Sequence, residues 1–402
     1  MKQKKLNDRK TEPTNTDDLL SHSRKGEKMS VVYGKDTPKL GFGLMRLPKR
    51  GFIINVEQVK TMVDLFLEAG FTYFDTAFVY PGSETAIRKA LVERHPRDSF
   101  TLATKLNAMV APTEKAARKQ FATSLERTGA GYFDYYLLHA LMENNYERYE
   151  KLHLWDFVRE QKEKGLIRNL GFSFHAGPDL LDKLLTEHPE VDFIQLPINY
   201  ADWENPKVTS RANYETARKH GKLITVMEPV KGGNLANPPE EVKKLFQDIH
   251  PDMSYASWAI RFVASLDGIL TVLSGMSNVE QMIDNLSYMK EFRPLNEEEQ
   301  EAIRQAQRIL GNAATIPCTA CRYCVEGCPQ QIRIPDIFAA MNRQLGNGQM
   351  AAAKEAYFAV APEGHRASDC IECRQCEGAC PQHLPITDHL KRAAEMFPAE
   401  SK

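Results

Sequence analysis

The sequence predicts an α/β chain, a (β/α)8 TIM barrel followed by a small, mainly α-helical domain, and three observations carry that reading. Between Leu40 and Met289 a short apolar segment and an amphipathic helix alternate eight times. Eight such pairs in roughly 250 residues is the length of a closed eight-stranded barrel. All eight cysteines lie beyond that region, in two runs of one spacing separated by 41 residues of helical pattern. An open doubly wound sheet is the main competitor. No G-x-G-x-x-G follows the first apolar segment, however, so the usual dinucleotide fingerprint is missing.

Strand one is Leu40 to Met45. Asn55 caps the first helix, Val59, Met62, Val63, Phe66 and Leu67 form its stripe, and Gly70 stops it. Strand two, Phe71 to Asp75, leads to a helix from about Ser83 with Ile87, Ala90 and Leu91 on one face. Strand three is Ser99 to Thr104, with a helix from Thr113. Strand four, Phe133 to Leu138, precedes a helix through Trp155 and Val158. Strand five is Ile167 to Phe172, with a helix from Asp179. Strand six, Asp192 to Leu196, precedes a helix around Tyr214. Strand seven, Leu223 to Met227, precedes Tyr255 to Ala264, and strand eight, Ile269 to Leu273, precedes a last helix after Ser277. Glu297 to Leu310 is helical, and Gly311 and Pro317 mark a linker. Asp336 to Leu345 and Met350 to Phe358 are helical between the cysteine runs. The expected division is a disordered tail (1–28), a barrel (29–295), a helix and linker (296–317) and a cysteine domain (318–395).

Composition bounds the rest. The 42% hydrophobic content supplies a full core, and a net charge of −1 steers the chain toward neither nucleic acid nor an anionic membrane. The most apolar stretch, Trp258 to Leu273, is interrupted by Arg261 and Asp267 and is too short to span a bilayer. The first 28 residues are basic and poor in apolar side chains, with no apolar run behind them, so they do not form a secretory or twin-arginine signal. Met29 offers an alternative start. Cysteines confined to these two runs point to a reducing cytoplasm in an organism living with little oxygen.

The runs are Cys318, Cys321, Cys324 and Cys328, then Pro329, and Cys370, Cys373, Cys376 and Cys380, then Pro381. Each reads C-x2-C-x2-C-x3-C-P. Three thiolates at this spacing on a tight turn point at one face of a metal cluster, and a fourth must come from elsewhere. A disulfide framework needs an oxidising compartment, and zinc knuckles supply two ligands rather than three. The pattern resembles the bacterial ferredoxin motif for two [4Fe–4S] clusters, in which the fourth cysteine of each run ligates the other cluster. The resemblance implies one cluster on Cys318, Cys321, Cys324 and Cys380, and a second on Cys370, Cys373, Cys376 and Cys328. The long helical spacer is more like an α-helical ferredoxin than a compact one.

Catalytic groups of such a barrel gather at the C-terminal strand ends. Those ends carry Asp75, Tyr80 in the loop behind it, Lys105 and His139. Each has an ordinary alternative: a turn cap, one of fourteen tyrosines, a solvated lysine, a satisfied core histidine. Four polar groups on consecutive strands make the combined reading stronger than any one of them. The segments LGFGLMRLP (40–48), FDTAFVYPGSE (74–84), LATK (102–105), DYYLLH (134–139) and IRNLGFSFH (167–175) resemble the aldo-keto reductase family. The whole chain is similar to a subgroup with a C-terminal ferredoxin-type domain. The resemblance places the family's tetrad on Asp75, Tyr80, Lys105 and His139. Tyr80 donates the proton in carbonyl reduction, Lys105 lowers its pKa from near ~10, Asp75 holds Lys105, and His139 orients the substrate oxygen.

The same resemblance implies a nicotinamide cofactor. Ser173 and Gln195 would bond the carboxamide, with Asn199 as a neighbouring candidate. The segment MEPVKGG (227–233), with Met227, Pro229, Lys231 and Gly232, would lie along the pyrophosphate, its glycines allowing close backbone approach and Lys231 pairing with phosphate. SGMSNVEQMIDN (274–285) matches the phosphate and adenine segment at Gly275, Ser277, Gln281 and Asn285, with Asp284 where glutamate is usual. Ser277 also reads as a helix N-cap with Glu280 as its capping-box partner. No Lys or Arg stands between Gly275 and Asn285, so NADP is the family default and NAD stays open. Met45, Arg46, Leu141, Met142 and Trp203 are pocket candidates.

A nicotinamide moves two electrons as a hydride and a cluster takes one. Three readings follow: clusters that relay electrons to or from a protein partner, a plain carbonyl reductase with structural or oxygen-sensing clusters, and a nicotinamide-sensing regulatory module. The substrate is a small carbonyl or alcohol compound.

Overall fold

The computed structural model describes residues 38–398, so the expected basic tail and the alternative start at Met29 lie outside the described residues. The barrel strands are β1 (Leu40–Gly43), β4 (Tyr73–Asp75), β5 (Thr101–Leu106), β6 (Phe133–Leu141), β7 (Ile167–Phe174), β8 (Phe193–Pro197), β9 (Leu223–Met227) and β10 (Ile269–Ser274). They close in the order β1-β10-β9-β8-β7-β6-β5-β4, every neighbouring pair parallel. A short hairpin, β2 (Lys49–Arg50) and β3 (Ile53–Ile54), follows β1 and was not foreseen.

The helices outside the barrel are α1 (Val56–Glu68), α2 (Ser83–Ile87), α3 (Glu114–Thr128), α4 (Tyr146–Lys151), α5 (Leu154–Glu163), α6 (Pro178–Glu187), α7 (Ser210–Lys219), α8 (Glu240–Ile249), α9 (Tyr255–Ala264), α10 (Val279–Met289) and α11 (Glu297–Gly311). Asn55 and Thr113 accept backbone N–H bonds as N-caps of α1 and α3. The barrel interior is filled by Tyr73, Tyr135, Phe193 and smaller residues. Gly171 makes room for them: a Cβ there would meet the Phe193 ring at 2.7 Å. A second layer, with Phe42, Phe66 and Phe74, packs between strands and helices. α11 belongs to this body. It buries Ala302, Ile303 and Ala306 with Phe246 and Trp258, and its capping box, Asn296 with Glu299, also ties Glu299 to Arg261.

The cysteine domain is helical: α12 (Tyr323–Glu326), α13 (Ile334–Asn347), α14 (Met350–Val360), α15 (Gln375–Gly378) and α16 (Ile386–Met396). It has a core of its own, including Ile337, Phe338, Met341, Tyr357 and Leu390. Among the described residues no helix is long and apolar enough to cross a membrane.

Candidate active site

Parallel registry sets Asp75, Lys105 and His139 at the ends of three adjacent strands. The fully buried Lys105 ammonium donates to Asp75 Oδ1 at 2.5 Å and to the Thr76 carbonyl at 2.8 Å. Gln195 donates to the other Asp75 oxygen at 3.2 Å. Burial pushes Asp75 up and Lys105 down, and each partner's charge offsets the other's shift. The Tyr80 ring lies 5.1 Å from the Lys105 ammonium and 5.8 Å from the His139 ring.

The expected lowering of the Tyr80 pKa is not what this geometry gives. Burial first, then Tyr323 and Asp75, push the phenol well above its ordinary value. The reason is visible in the donors of Lys105, which are aimed at Asp75 and Thr76. Burial, then the charges of Lys105 and His175, hold His139 well below the usual imidazole range. Its ring is therefore neutral at physiological pH, and its buried Nδ1 has no partner among the described residues.

A cavity of about 650 Å³ opens over these groups, a size suited to a cofactor and a small substrate. It runs from Asp75, Tyr80 and His139 past Gln195, Met227 and Pro229 to Gly275, Ser277, Gln281, Asp284 and Asn285 at the start of α10. The N-cap of α10 is Asn278, which accepts from Gln281 N at 2.8 Å, and not Ser277 as the sequence suggested. Ser277 N instead donates to the Gln281 side chain at 2.7 Å, which leaves Ser277 in the loop. Asp284 accepts from Ser254 at 2.9 Å. Asn285 Oδ1 is buried with no partner, an acceptor that fits a ligand donor such as an exocyclic amine.

The cysteines line two further cavities. One is lined by Cys318, Cys321, Cys324 and Cys380, the other by Cys328, Cys370, Cys373 and Cys376. Each thus receives three thiols of one run and the last thiol of the other. Among the described residues no three thiols lie within 4.8 Å of one another. Four thiolates on one zinc at about 2.3 Å would stand closer than this, so the donor sets fit a larger group such as a cubane. Burial pushes Cys321 up to about 12 and Cys376 up to about 11, so thiolates there call for a cationic partner.

The first of these cavities abuts the barrel mouth. Arg46 donates to Gly232 O at 2.9 Å and to Thr319 O at 2.6 Å. Asn234 donates to Cys318 O at 3.1 Å, and Gln382 donates to Glu228 at 2.8 Å. Cys321 and Tyr323 complete the wall of the large cavity.

With that geometry in place, sequence profiles decide the lineage. The profile of the aldo/keto reductase family matches residues 39–308, and that of a 4Fe-4S dicluster domain matches residues 317–385. The chain belongs to the aldo/keto reductase family. An aldo-keto reductase of Mycobacterium avium is 25% identical over 301 residues, covering 74% of this chain and 97% of its own. An aldo-keto reductase of Klebsiella pneumoniae, solved in complex with NADPH, is 18% identical with a TM-score of 0.56, covering 69% of this chain and 93% of its own. A holo aldo-keto reductase of Bacillus halodurans is 24% identical with a TM-score of 0.54, covering 67% and 91%. These structures share the reductase fold.

Three residues expected at the cofactor, Ser173, Asn199 and Lys231, do not line this cavity, whereas Gly232 does. Ser173 is buried and accepts from Ala140 N at 2.7 Å. Asn199 is buried and bonds Asp202 and Glu228 O. Lys231 is buried against Asp202 and Gln382, which leaves it no exposed ammonium for a phosphate. Gly232 does allow a close approach, but to the Thr319 backbone, which an added Cβ would meet at 2.3 Å. Of the pocket candidates, Met45 and Arg46 line the cavity, while Leu141, Met142 and Trp203 pack into the barrel's outer layer or beside it. Polar lining residues that the sequence reading did not single out include His175, Glu228 and Tyr323. His175 closes a quoted segment, Glu228 sits in MEPVKGG, and Tyr323 sits inside a cysteine run, so each was legible as part of a motif and hidden by it.

Proposed function

We propose that the barrel reduces a carbonyl, or oxidises an alcohol, with NADP, and that the dicluster domain is an electron-relay module facing the same cavity. One observation carries this: a single cavity is walled by Tyr80 and His139, by the segment 275–285, and by Cys321 and Tyr323 of the cluster domain. The NADPH held by the Klebsiella pneumoniae relative supports the cofactor. When bound, a nicotinamide supplies a hydride and the clusters handle single electrons.

The chain's own residues do the rest. Tyr80 gives its hydroxyl proton to the developing alkoxide. Neutral His139 presents a ring N–H to the same oxygen. Asp75, fixed by Lys105 and Gln195, keeps a compact buried ion pair beside Tyr80 and His139. Gly275 to Asn285 flank the distal end of the cavity, where Asn285 Oδ1 would accept a hydrogen bond from a bound cofactor. Cys318, Cys321, Cys324 and Cys380 hold the cluster next to the barrel, and Cys328, Cys370, Cys373 and Cys376 hold the outer one. The outer set includes exposed Cys373 beside exposed Ile371, so a cluster held there would lie at a surface open to a protein partner.

The test is an anaerobic optical and EPR titration with NADPH, then NADH. Cluster reduction at a catalytic rate supports the relay. Nicotinamide binding with clusters that dithionite alone reduces would leave a plain carbonyl reductase.

A further inference from the structure

We infer that Arg46 is the residue that neutralises the cofactor's diphosphate, a role that Lys231 cannot fill. A dinucleotide is an anion, and the cavity that holds it must supply a cation or charge-assisted N–H donors. Four carboxyl groups line this cavity, those of Asp75, Glu228, Glu280 and Asp284. Among the described residues that line it, Arg46 is the one permanent cation. The buried ammoniums nearby are spent, Lys105 on Asp75 and Lys231 on Asp202. Two N–H groups at the start of α10 are also taken: Ser277 N is bonded to the Gln281 side chain and Gln281 N to that of Asn278.

The Arg46 guanidinium is held in place without being neutralised. It donates to two carbonyls, Gly232 O at 2.9 Å and Thr319 O at 2.6 Å. A guanidinium has five N–H donors, so further ones remain for an anion. Among the described residues Arg46 makes no ion pair. Glu228, which lines the same cavity, is instead bonded by Gln382 at 2.8 Å and by Thr319 at 3.4 Å. On its other side Arg46 passes the start of the 275–285 segment, where a Cβ on Gly275 would lie 3.9 Å from Arg46 Cδ. The side chain thus bridges Gly232 and Gly275 across the cavity wall. The covalent order of the cofactor does the rest. With the nicotinamide beside Tyr80 and His139 and the adenosine beside Asn285, the diphosphate is the part between them, and Arg46 is the charge that meets it.

This rests on a nicotinamide cofactor occupying the cavity, and the experiment separates the two. Wild type, Arg46→Lys and Arg46→Gln, each with full iron content, are titrated by calorimetry with NADP+ and with NAD+. Arg46→Gln is expected to raise Kd for both cofactors about 10- to 100-fold. Arg46→Lys keeps the charge without the fork and is expected to stay within about 5-fold of wild type. Equal affinity in wild type and Arg46→Gln overturns the inference. So does equal weakening in Arg46→Lys and Arg46→Gln, which would leave Arg46 only the bracing of Gly232 and Thr319. A loss confined to NADP+ overturns it as well, because NAD+ lacks only the ribose 2′-phosphate. If Arg46→Gln loses iron, wild type decides through salt: Kd for NAD+ is expected to rise with potassium chloride, and a Kd that does not rise overturns the inference. Failure of wild type to bind either cofactor overturns the nicotinamide reading, and this inference with it.

Discussion

Gly232 tests whether the cluster domain is seated on the barrel as described. Its φ is +68°, and a Cβ there would meet Thr319 O at 2.3 Å and Thr319 Cα at 2.7 Å. Both atoms are backbone, so neither yields by a rotamer change. A non-glycine residue in left-handed conformation costs about 1–2 kcal/mol, and overpacking adds about 1–3 kcal/mol. Gly232→Ala should therefore weaken seating by about 2–5 kcal/mol, raising the open population at least about 30-fold. It also displaces the Gly232 carbonyl that Arg46 grips together with Thr319. Hydrogen exchange followed by mass spectrometry reads the effect at residues 317–324. Gly233→Ala is the control, since its φ is +105° but no atom lies within 4 Å of the added Cβ. That variant should strain its own loop and leave exchange across 317–324 as in wild type. Equal exchange there in both variants, or in Gly232→Ala and wild type, would refute the seating.

Other expectations follow from single groups. Asp75→Asn leaves the Lys105 ammonium buried without its counter-charge and should cost about 3–5 kcal/mol in denaturant unfolding, besides abolishing turnover. Because His139 is neutral across the physiological range, His139→Gln should lower kcat/KM without removing an acidic limb from the pH profile. Burial raises Glu299, but bonds from Arg261 and Asn296 N outweigh it and hold the carboxyl below its ordinary 4.5. Its stabilisation is thus complete above that value and is lost as pH falls through the lower folded one. Glu299→Gln should flatten Tm against pH on that acid side. Cys328→Ala should halve the iron and loosen exchange across residues 370–376, because its thiol lines the cavity of the other run.

The barrel was legible because each strand is a short apolar run at one period and each helix a stripe at another, and the eight strands fall where that alternation put them. Asp75, Tyr80 and His139 were legible because strand ends are fixed by the same alternation. What the alternation does not encode is the partner of a side chain across a domain boundary. Lys231 reads as a phosphate ligand until Asp202 and Gln382 are seen around its ammonium. Gly232 reads as a cofactor glycine and does line the cavity, but Thr319 is packed against it as well. Both findings have one cause: the motif MEPVKGG was read against the family's cofactor alone, while here it is also the seat of the cluster domain. The correcting signal was present in the cysteine runs. C-R-Y-C and C-R-Q-C share spacing and backbone, so iron binding accounts for the cysteines and not for the difference between Tyr323 and Gln375. A residue that breaks an internal repeat at a position the repeat leaves free is answering to something outside the repeat, and for Tyr323 that is the barrel cavity, whose wall it joins.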